Sequence, residues 1–205
     1  RDGDIPVSQR FDDPYFSLQG GLDETRHVFL AGNDLPVRFA DGFRVAELGF
    51  GTGLNFLATL MAWRASGIGG RLHFTSFEAY PMAADDLARA LAPFAGLLPT
   101  HILTERSQAD DFALEVIAGD ARATLPAWDG RADAWYLDGF SPAKNPELWG
   151  ADLMQAVSDH TAKGGTAATY TAAGHVRRSL QLAGFSVERV AGFGRKRHMT
   201  RARLM

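Results

Sequence analysis

Residues 45–55 read Val-Ala-Glu-Leu-Gly-Phe-Gly-Thr-Gly-Leu-Asn, and this stretch decides the fold of the 205-residue chain. An apolar strand pattern enters it, three glycines alternate with other residues, and an apolar helical pattern leaves it. Alternate glycines permit a sharp turn and leave room for a ligand to lie against the backbone. The helix that follows presents unpaired N–H groups and the positive end of its dipole. The stretch therefore predicts a ligand-binding turn between a strand and a helix.

Glu47 and the glycine spacing narrow the kind of ligand. Glu47 stands two residues before the first glycine, where a carboxylate can bind an amino group or a hydroxyl but would repel a pyrophosphate. Gly49 and Gly51 fit the first two positions of the dinucleotide fingerprint G-x-G-x-x-G. The third position of that fingerprint falls on Leu54, because the third glycine is Gly53. This spacing disfavours a nicotinamide-dependent oxidoreductase.

The pattern E-x-G-x-G-x-G resembles the first motif of class I S-adenosylmethionine-dependent methyltransferases. In that family the glycine loop lies along the methionine part and the ribose of the cofactor. The resemblance implies that S-adenosyl-L-methionine is bound here by Glu47, Gly49, Gly51, Gly53 and Asn55. The alternative interpretation is an ordinary tight turn between a strand and a helix.

The composition is that of a soluble globular protein of one domain, with 46% hydrophobic and 22% charged residues. The chain has no cysteine, which excludes disulfides, thiolate metal sites and cysteine nucleophiles. Its six histidines lack metal-ligand spacing, so we expect no metal. No apolar run has the length of a membrane span, and the first residues do not resemble a secretory signal, so a cytoplasmic location is expected.

Strand and helix patterns alternate from residue 43 onward. Strands are predicted over 43–48, 72–78, 113–118, 132–137, 165–171, 185–190 and 198–204, and helices over 54–65, 82–91, 121–125, 146–161 and 174–183. This alternation predicts a Rossmann-like α/β fold with a mostly parallel seven-stranded sheet and helices on both faces. Residues 41–205 are interpreted as the S-adenosylmethionine-binding methyltransferase domain. Residues 1–40 are interpreted as an N-terminal extension packed on it, with short strands over 25–30 and 37–39.

Polar side chains stand repeatedly where predicted strands end, which is where ligands bind on such sheets. These residues are Glu47, Glu78, Asp120, Asp138, and Tyr170 with Thr171. Glu78 is expected to accept hydrogen bonds from both ribose hydroxyls, or alternatively to cap a helix. The dipeptide Gly119-Asp120 resembles the methyltransferase element whose Asp contacts the adenine amino group.

The N-terminal extension offers two further expectations. Tyr15, Phe16 and Ser17 are candidates for a lid over the cofactor, with simple anchoring of the extension as the alternative. Glu24 and Arg26 are expected to pair with each other on an exposed surface, where such a pair contributes little.

The densest motif, D-G-F-S-P-A-K-N-P-x-x-W over residues 138–149, gives the resemblance its specificity. Further motifs accompany it: E-L-G-F-G-T-G-L-N over 47–55, F-D-D-x-Y-F-S over 11–17, G-L-x-E-T-R over 21–26, F-L-x-G-N over 29–33, T-Y-T-A-A-G-x-V-R-R over 169–178 and G-F-G-R-K-R over 192–197. Together they resemble the methyltransferase domain of the bacterial tRNA 5-methylaminomethyl-2-thiouridine biosynthesis bifunctional protein and its stand-alone relatives. The least similar part is 97–112. The bifunctional proteins carry a further FAD-dependent oxidoreductase domain, so the chain is expected to be a stand-alone member or an excised domain.

This resemblance implies methyl transfer to the 5-aminomethyl group of (2-thio)uridine at position 34 of tRNA. Asp138 is expected to accept a hydrogen bond or a proton from the amine, because only a neutral amine can attack the methyl group. The implied substrate-binding residues are Phe140, Lys144, Asn145, Tyr170, Arg195, Lys196 and Arg197. The alternatives are a purely structural role in the loop for Lys144 and Asn145, and a core position for Tyr170. For Arg195, Lys196 and Arg197 the alternative is a solvent-exposed basic strand end. The implied partners are tRNA and an oxidoreductase of the same pathway, without a membrane.

Three other functions stay open at this point. An aminopropyltransferase shares the fold and uses a decarboxylated form of the same cofactor, and another small-molecule amine methyltransferase would need similar residues. A non-catalytic RNA-binding or cofactor-binding module is the other possibility, although the intact series of acids at the strand ends disfavours it.

Overall fold

The computed structural model describes residues 6–8, 10–15 and 20–205. Phe16 and Ser17 of the expected lid therefore lie outside the described residues. The strands are β1 (Val7–Ser8), β2 (Asp13–Pro14), β3 (Arg44–Leu48), β4 (Leu72–Glu78), β5 (Arg106–Gln108), β6 (Phe112–Ala118), β7 (Ala132–Leu137), β8 (Thr161–Thr169), β9 (Phe185–Ala191) and β10 (His198–Leu204). The helices are α1 (Gly21–Thr25), α2 (Leu54–Ser66), α3 (Ala84–Leu91), α4 (Ala121–Thr124), α5 (Ala151–Asp159) and α6 (Gly174–Leu182).

Within the described residues, the main sheet has eight strands in the order β5-β6-β4-β3-β7-β8-β10-β9. The five strands from β6 to β8 in this order are parallel, while β5, β10 and β9 are antiparallel to their neighbours. The chain moves outward from β3 through β4 to β6 and then returns to β7 on the other side of β3. This reversal puts a topological switch point at the carboxyl ends of β3 and β7, where such sheets bind ligands.

Two apolar cores lie on the two faces of the sheet. One contains Phe56 and Leu60 of α2, and the other contains Leu153 of α5 and Leu180 of α6. The parallel strands alternate between these cores, as Trp135 and Tyr136 illustrate on β7. The predicted Rossmann-like fold with helices on both faces is confirmed. Among the described helices, none has the length and apolar character needed to cross a membrane.

Helical turns replace the short strand expected over residues 25–30. The helix α1 continues as the π-helical turn Arg26–Leu30 and the 3₁₀ turn Ala31–Asn33. Val28 and Phe29 are buried in the core of the α2 face, and the Phe29 ring stacks on Tyr136 with centroids 5.2 Å apart. The short strand expected over 37–39 is likewise wrong, since these residues form a turn. The division of the chain at residue 40 stays a prediction.

Three boundaries inside the sheet also differ from expectation. The strand β5 adds an eighth, antiparallel edge strand within the segment that resembled the family least. The helix expected over 146–161 is divided into the 3₁₀ turn Pro146–Trp149 and α5, because Gly150 between them is extended. The strand β8 starts at Thr161, which pairs with Ala132, and ends before Tyr170.

Candidate active site

A cavity of about 530 Å³ opens at the switch point, within the range of roughly 300–1,000 Å³ typical of small-molecule sites. Its walls come from the carboxyl ends of β3, β4 and β7, from the N-terminal segment and α1, and from the turn between β9 and β10. Several separate stretches of the chain therefore meet around one ligand-sized space.

The glycine loop forms one side of this cavity. Gly49 has φ +91° and Gly51 has φ +54°, so both use the left-handed region that favours glycine. The backbone N–H of Gly51 donates to Glu78 Oε2 at 2.9 Å, and a side chain at this position would meet the ring of Tyr15. Gly49 lies against the backbone of Asp138, where a Cβ would collide with the Asp138 carbonyl oxygen. Glycine at these positions therefore lets the loop pack closely against the Asp138 backbone and the Tyr15 ring.

Glu78 fixes this loop and faces the cavity at the same time. Its Oε1 accepts from the N–H of Tyr80 at 2.7 Å, and its Oε2 accepts from Gly51. Each carboxylate oxygen keeps a second lone pair, so Glu78 can still accept bonds from hydroxyl groups in the cavity. The alternative helix-cap role does not apply to Glu78, because the N-cap of α3 is Ala83.

Asp120 is the acid that caps a helix. Its side chain accepts from the backbone N–H of Arg122 at 2.9 Å, at the start of α4. It also forms an ion pair with the Arg122 guanidinium at 2.6 Å, and hydrogen bonding to Arg122 lowers the pKa of Asp120. Both residues line the cavity, so a ligand meets this pair rather than an isolated carboxylate.

The buried Glu47 and the half-buried Asp138 are two carboxyl groups joined through one amide. Asn55 Nδ2 donates to Asp138 Oδ2 at 2.7 Å and to Glu47 Oε1 at 2.8 Å. Thr25 Oγ1 donates to Asn55 Oδ1 at 2.7 Å, which fixes the amide in this orientation. Glu47 Oε2 accepts from Ser76 Oγ at 2.7 Å. Asp138 faces the cavity from this network, while Glu47 lies behind it with no exposed surface.

Burial shifts the titration of both groups. Burial raises the pKa of Asp138 to about 7, with the bond from Asn55 and the charge of Lys196 acting in the opposite direction and the charge of Glu24 reinforcing the rise. Burial and the Asp138 charge raise the pKa of Glu47 well above its ordinary value. Asp138 can therefore change its protonation state near neutral pH, as a proton acceptor requires.

The loop after β7 is held rigidly around Asp138. Tyr170 Oη donates to the Gly139 carbonyl at 2.6 Å, and Trp149 Nε1 donates to the Phe140 carbonyl at 3.0 Å. A side chain at Gly139 would collide with Leu148. These contacts fix the backbone of the two residues that follow Asp138.

The N-terminal segment crosses the cavity and joins this loop. Phe11 stacks on Phe140 with ring centroids 4.7 Å apart, and Tyr15 meets Phe140 edge-on at 5.2 Å. Asp13 Oδ2 accepts from the Ser141 N–H at 2.9 Å, and Lys144 Nζ donates to the carbonyl of Asp12. Residues 10–15 thus form a strap between the glycine loop and the loop after β7.

Glu24 pairs with Lys196, and this corrects the expected exposed pair of Glu24 with Arg26. Lys196 Nζ lies 2.7 Å from Glu24 Oε1, whereas Arg26 pairs with Asp23 at 3.1 Å. Glu24 points inward because it lies on the side of α1 that faces the cavity. Lys196 also lies over the ring of Tyr170, 4.2 Å from its centroid.

Most of the site residues expected from the sequence line the cavity. They are Tyr15, Gly49, Gly51, Asn55, Glu78, Asp120, Asp138, Phe140, Asn145, Tyr170, Arg195 and Lys196. The structure brings them together, and their individual roles stay predictions.

Four expected site residues lie outside the cavity wall. Glu47 supports Asn55 from behind, and Gly53 faces Phe50 and Leu103 at the start of α2. The Lys144 ammonium is directed to the strap. The exposed Arg197 accepts a bond from Gly192 N–H through its carbonyl oxygen, closing the β9–β10 turn.

Several cavity residues were missed in the sequence. Glu24 and Thr25 belong to the G-L-x-E-T-R motif, and Phe11 and Asp13 belong to F-D-D-x-Y-F-S, so the signal was present. The chemistry of Glu24 was hidden because its partner Lys196 is 172 positions away. Among the described residues, no group of three or more His, Cys, Asp or Glu side chains could hold a metal ion.

Comparisons with known proteins give consistent matches. A model of the family described as S-adenosyl-L-methionine-dependent methyltransferase matches residues 86–205. The chain is 46% identical over 223 residues to the tRNA 5-methylaminomethyl-2-thiouridine biosynthesis bifunctional protein MnmC of Caulobacter sp. (strain K31), covering 98% of this chain and 37% of that protein. It is 45% identical over 219 residues to the protein of the same name from Aeromonas hydrophila, covering 95% of this chain and 33% of that protein.

The chain thus spans about a third of the length of these relatives. Among solved structures, the crystal structure of MNMC2 from Aquifex aeolicus is similar to it, with a TM-score of 0.76 and 26% identity. That match covers 96% of this chain and 65% of the other.

Proposed function

This chain belongs to the family of S-adenosyl-L-methionine-dependent methyltransferases, and from that premise we propose that it methylates the 5-aminomethyl group of (2-thio)uridine at the wobble position 34 of tRNA. The observation that carries the proposal is the half-buried carboxylate of Asp138, which faces a ligand-sized cavity and is held by Asn55. The names of the relatives, which refer to tRNA 5-methylaminomethyl-2-thiouridine biosynthesis, supply the substrate class.

The residues of the cavity fit the cofactor. Gly49 and Gly51 line the cavity, and the free lone pairs of Glu78 suit the two hydroxyls of a ribose. The Tyr15 ring lies beside the Gly51 backbone and lines the same cavity. When bound, the cofactor supplies a methyl group already activated on a sulfonium. The residues of this chain therefore contribute mainly by positioning the acceptor.

Asp138 is the residue that prepares the acceptor. An alkylamine has a pKa of roughly 10, so it is mostly charged at neutral pH and has no free lone pair. Asp138 accepts its proton, and the raised pKa of Asp138, about 7, makes this acceptance more favourable than for an ordinary aspartate. Asn55 fixes the direction of the accepting oxygen, and Glu47 fixes Asn55.

The surroundings of Asp138 suit a nucleotide in tRNA. Arg195 and Lys196 line the mouth of the cavity with exposed Arg197 beside them, and basic side chains there can bind backbone phosphates. Phe140 offers an aromatic ring on which an extruded base can stack, as the bases of single-stranded RNA stack on aromatic side chains. Because Phe11 already stacks on Phe140, the base must share or displace that contact.

The proposal extends to location and partners. We place the protein in the cytoplasm, where tRNA is modified. An FAD-dependent oxidoreductase activity, in the same chain or in another protein, would supply the aminomethyl group.

The test is incubation of the protein with labelled S-adenosylmethionine and three acceptors. These are tRNA with 5-aminomethyluridine at position 34, the same tRNA with unmodified uridine, and a polyamine. We expect label in the aminomethyl tRNA alone. Transfer to unmodified tRNA or to no tRNA contradicts the proposal. Parallel use of the decarboxylated cofactor with the polyamine identifies an aminopropyltransferase.

A further inference from the structure

Three residues from distant parts of the chain meet on one wall of the cavity. Glu24 comes from α1, Tyr170 follows β8, and Lys196 lies in the turn between β9 and β10. The Lys196 ammonium lies 2.7 Å from Glu24 Oε1 and 4.2 Å from the centroid of the Tyr170 ring. All three residues line the same cavity as Asp138.

This arrangement already holds one alkylammonium group, the Lys196 side chain. It combines a carboxylate for the charge with an aromatic face for cation–π attraction, as sites for organic cations do. The Glu24 side chain is only 13% exposed, so its carboxylate interacts more strongly than a surface carboxylate would. The Lys196 side chain is 45% exposed, so its ammonium has a route into water once another cation takes its place beside Glu24.

We propose that Glu24 and the Tyr170 ring form the subsite that first receives the charged aminomethyl group of the substrate, and that Lys196 occupies this subsite in the free protein. The inference rests on the proposed function, because it assumes an amine substrate. Lys196 then acts as an internal stand-in for the substrate, a primary ammonium on a flexible alkyl stem. The arriving ammonium displaces it.

The subsite also explains how a charged amine reaches the point of reaction. The amine binds to Glu24 as an ammonium, and one N–H bond breaks as its proton moves to a carboxylate oxygen of Asp138. The electron pair of that bond stays on nitrogen and becomes available for attack. The displaced Lys196 is free to reach the phosphates that accompany the substrate. The two carboxylates thus have separate roles, because Glu24 binds the cation and Asp138 accepts its proton.

A comparison of two tRNAs isolates this subsite from all other contacts. One carries 5-aminomethyluridine at position 34, and the other carries 5-hydroxymethyluridine, a neutral analogue of the same shape. The ratio of their affinities at pH 7, measured with the cofactor product bound, cancels the phosphate contacts that both tRNAs share. We expect the wild-type protein to prefer the amine by about tenfold or more, the size of one charge-assisted hydrogen bond.

Three variants test the assignment. Glu24→Gln should lower this ratio by about tenfold, because it removes the charge and keeps the shape. Lys196→Met should raise the ratio above that of the wild type, because it removes the competing ammonium and keeps the stem. The matched control is Asp23→Asn, a neighbouring carboxylate on α1 that is 67% exposed and pairs with Arg26. It should leave the ratio unchanged.

The outcomes separate this inference from the proposed function. An unchanged ratio in Glu24→Gln, or a lowered ratio in Lys196→Met, contradicts the subsite if the wild-type protein still methylates the aminomethyl tRNA. Absence of methylation by the wild-type protein contradicts the proposed function itself. Equal cofactor affinity of all variants in calorimetry shows that each is folded.

Discussion

At the scale of the residue, the central feature is a pair of carboxyl groups, the buried Glu47 and the half-buried Asp138, that share the amide of Asn55. The two groups are distinguished by exposure to the cavity, because Asp138 lines it and Glu47 does not. A buried carboxyl is costly to ionise, and its raised pKa records that cost. The ligand-facing group is therefore poised for proton transfer, and the hidden group serves as its support.

Replacement of Asp138 by Asn should remove the proton acceptor and keep the shape. We expect kcat/KM for the aminomethyl tRNA to fall by roughly 10²- to 10⁴-fold, the usual contribution of a general base. The wild-type profile should rise with pH through about 7, because Asp138 must lose its proton before it can accept another. This rise should be absent in the variant, while cofactor affinity in calorimetry changes little.

Asp133→Asn is the control for that measurement, since Asp133 lies near the opposite end of β7 and accepts from the Arg44 N–H. Its pH profile should match that of the wild type. Near-normal turnover in Asp138→Asn would show that the carboxylate is not the proton acceptor.

Replacement of Glu47 by Gln should change the pH dependence of stability. The pKa of Glu47 in the folded protein is raised above its ordinary value of 4.5, so the folded state holds the extra proton above that pH. The free energy of unfolding of the wild type therefore falls as pH rises from about 4.5 toward the folded-state pKa. Glu47→Gln should lack this component and be relatively more stable at pH 8 than at pH 4. Urea unfolding of the wild type and the variant at pH 4 and pH 8 measures this component. If the two proteins differ in unfolding free energy by the same amount at both pH values, Glu47 is not protonated in the folded state.

At the scale of the element, the glycine loop and the loop after β7 are built against each other. The backbone of Gly49 touches the backbone of Asp138, and the neighbouring residues Leu48 and Leu137 are paired in the parallel register of β3 and β7. The cavity wall at the glycine loop and the Asp138 carboxylate thus have a common backbone support. A shift in one loop moves the other.

Gly49→Ala should therefore destabilise the protein by more than the backbone strain at this position would alone. Its Cβ would collide with the Asp138 carbonyl, which adds about 1–3 kcal/mol of overpacking to the cost of a positive φ. Gly67→Ala is the control, because Gly67 has φ +69° at the end of α2 but open space around its Cβ. Urea unfolding should show the larger loss for Gly49→Ala, together with weaker cofactor binding. Equal losses of unfolding free energy in Gly49→Ala and Gly67→Ala would refute the contact between Gly49 and Asp138.

The elements also show how far the sequence predicts this molecule. The parallel strands were predictable, because each combines apolar residues with a polar residue at its carboxyl end. The prediction of a strand over residues 25–30 was wrong because Val28 and Phe29, which are residue types common in strands, are buried within helical turns. The edge strand β5 has only three residues and no buried position, so it leaves no pattern. The partner of Glu24 could not be predicted, because only the tertiary fold brings Lys196 to it.

At the scale of the whole molecule, the cavity is closed by segments that do not belong to the parallel sheet. The strap of residues 10–15 crosses it on one side, and α1 with the β9–β10 turn closes it on another. The sheet therefore contributes the polar groups at its strand ends, and the peripheral segments enclose the cavity and add Glu24 and Lys196 to its wall.

Loss of the strap contact should accelerate release of the cofactor. Asp13→Ala removes the acceptor for the Ser141 N–H and one of the carboxylates near Lys144, so the strap is held less firmly. We expect a severalfold faster dissociation of S-adenosylmethionine in stopped-flow measurements. Asp12→Asn is the control, since the Asp12 side chain is 95% exposed. A dissociation rate equal to that of the wild type in Asp13→Ala would mean that the strap does not cover the cofactor.

The contact between α1 and the β9–β10 turn has a consequence for synthesis of the chain on the ribosome. Glu24 and Lys196 are separated by 172 positions, and Asp34 is joined in the same way to Arg201 and Arg203. A ribosome adding roughly 5–20 residues per second exposes the first partner many seconds before the second. During that interval the nascent chain can form its central strands but not this wall. The contact between Glu24 and Lys196 therefore forms later in synthesis than the earliest pairing of the central strands.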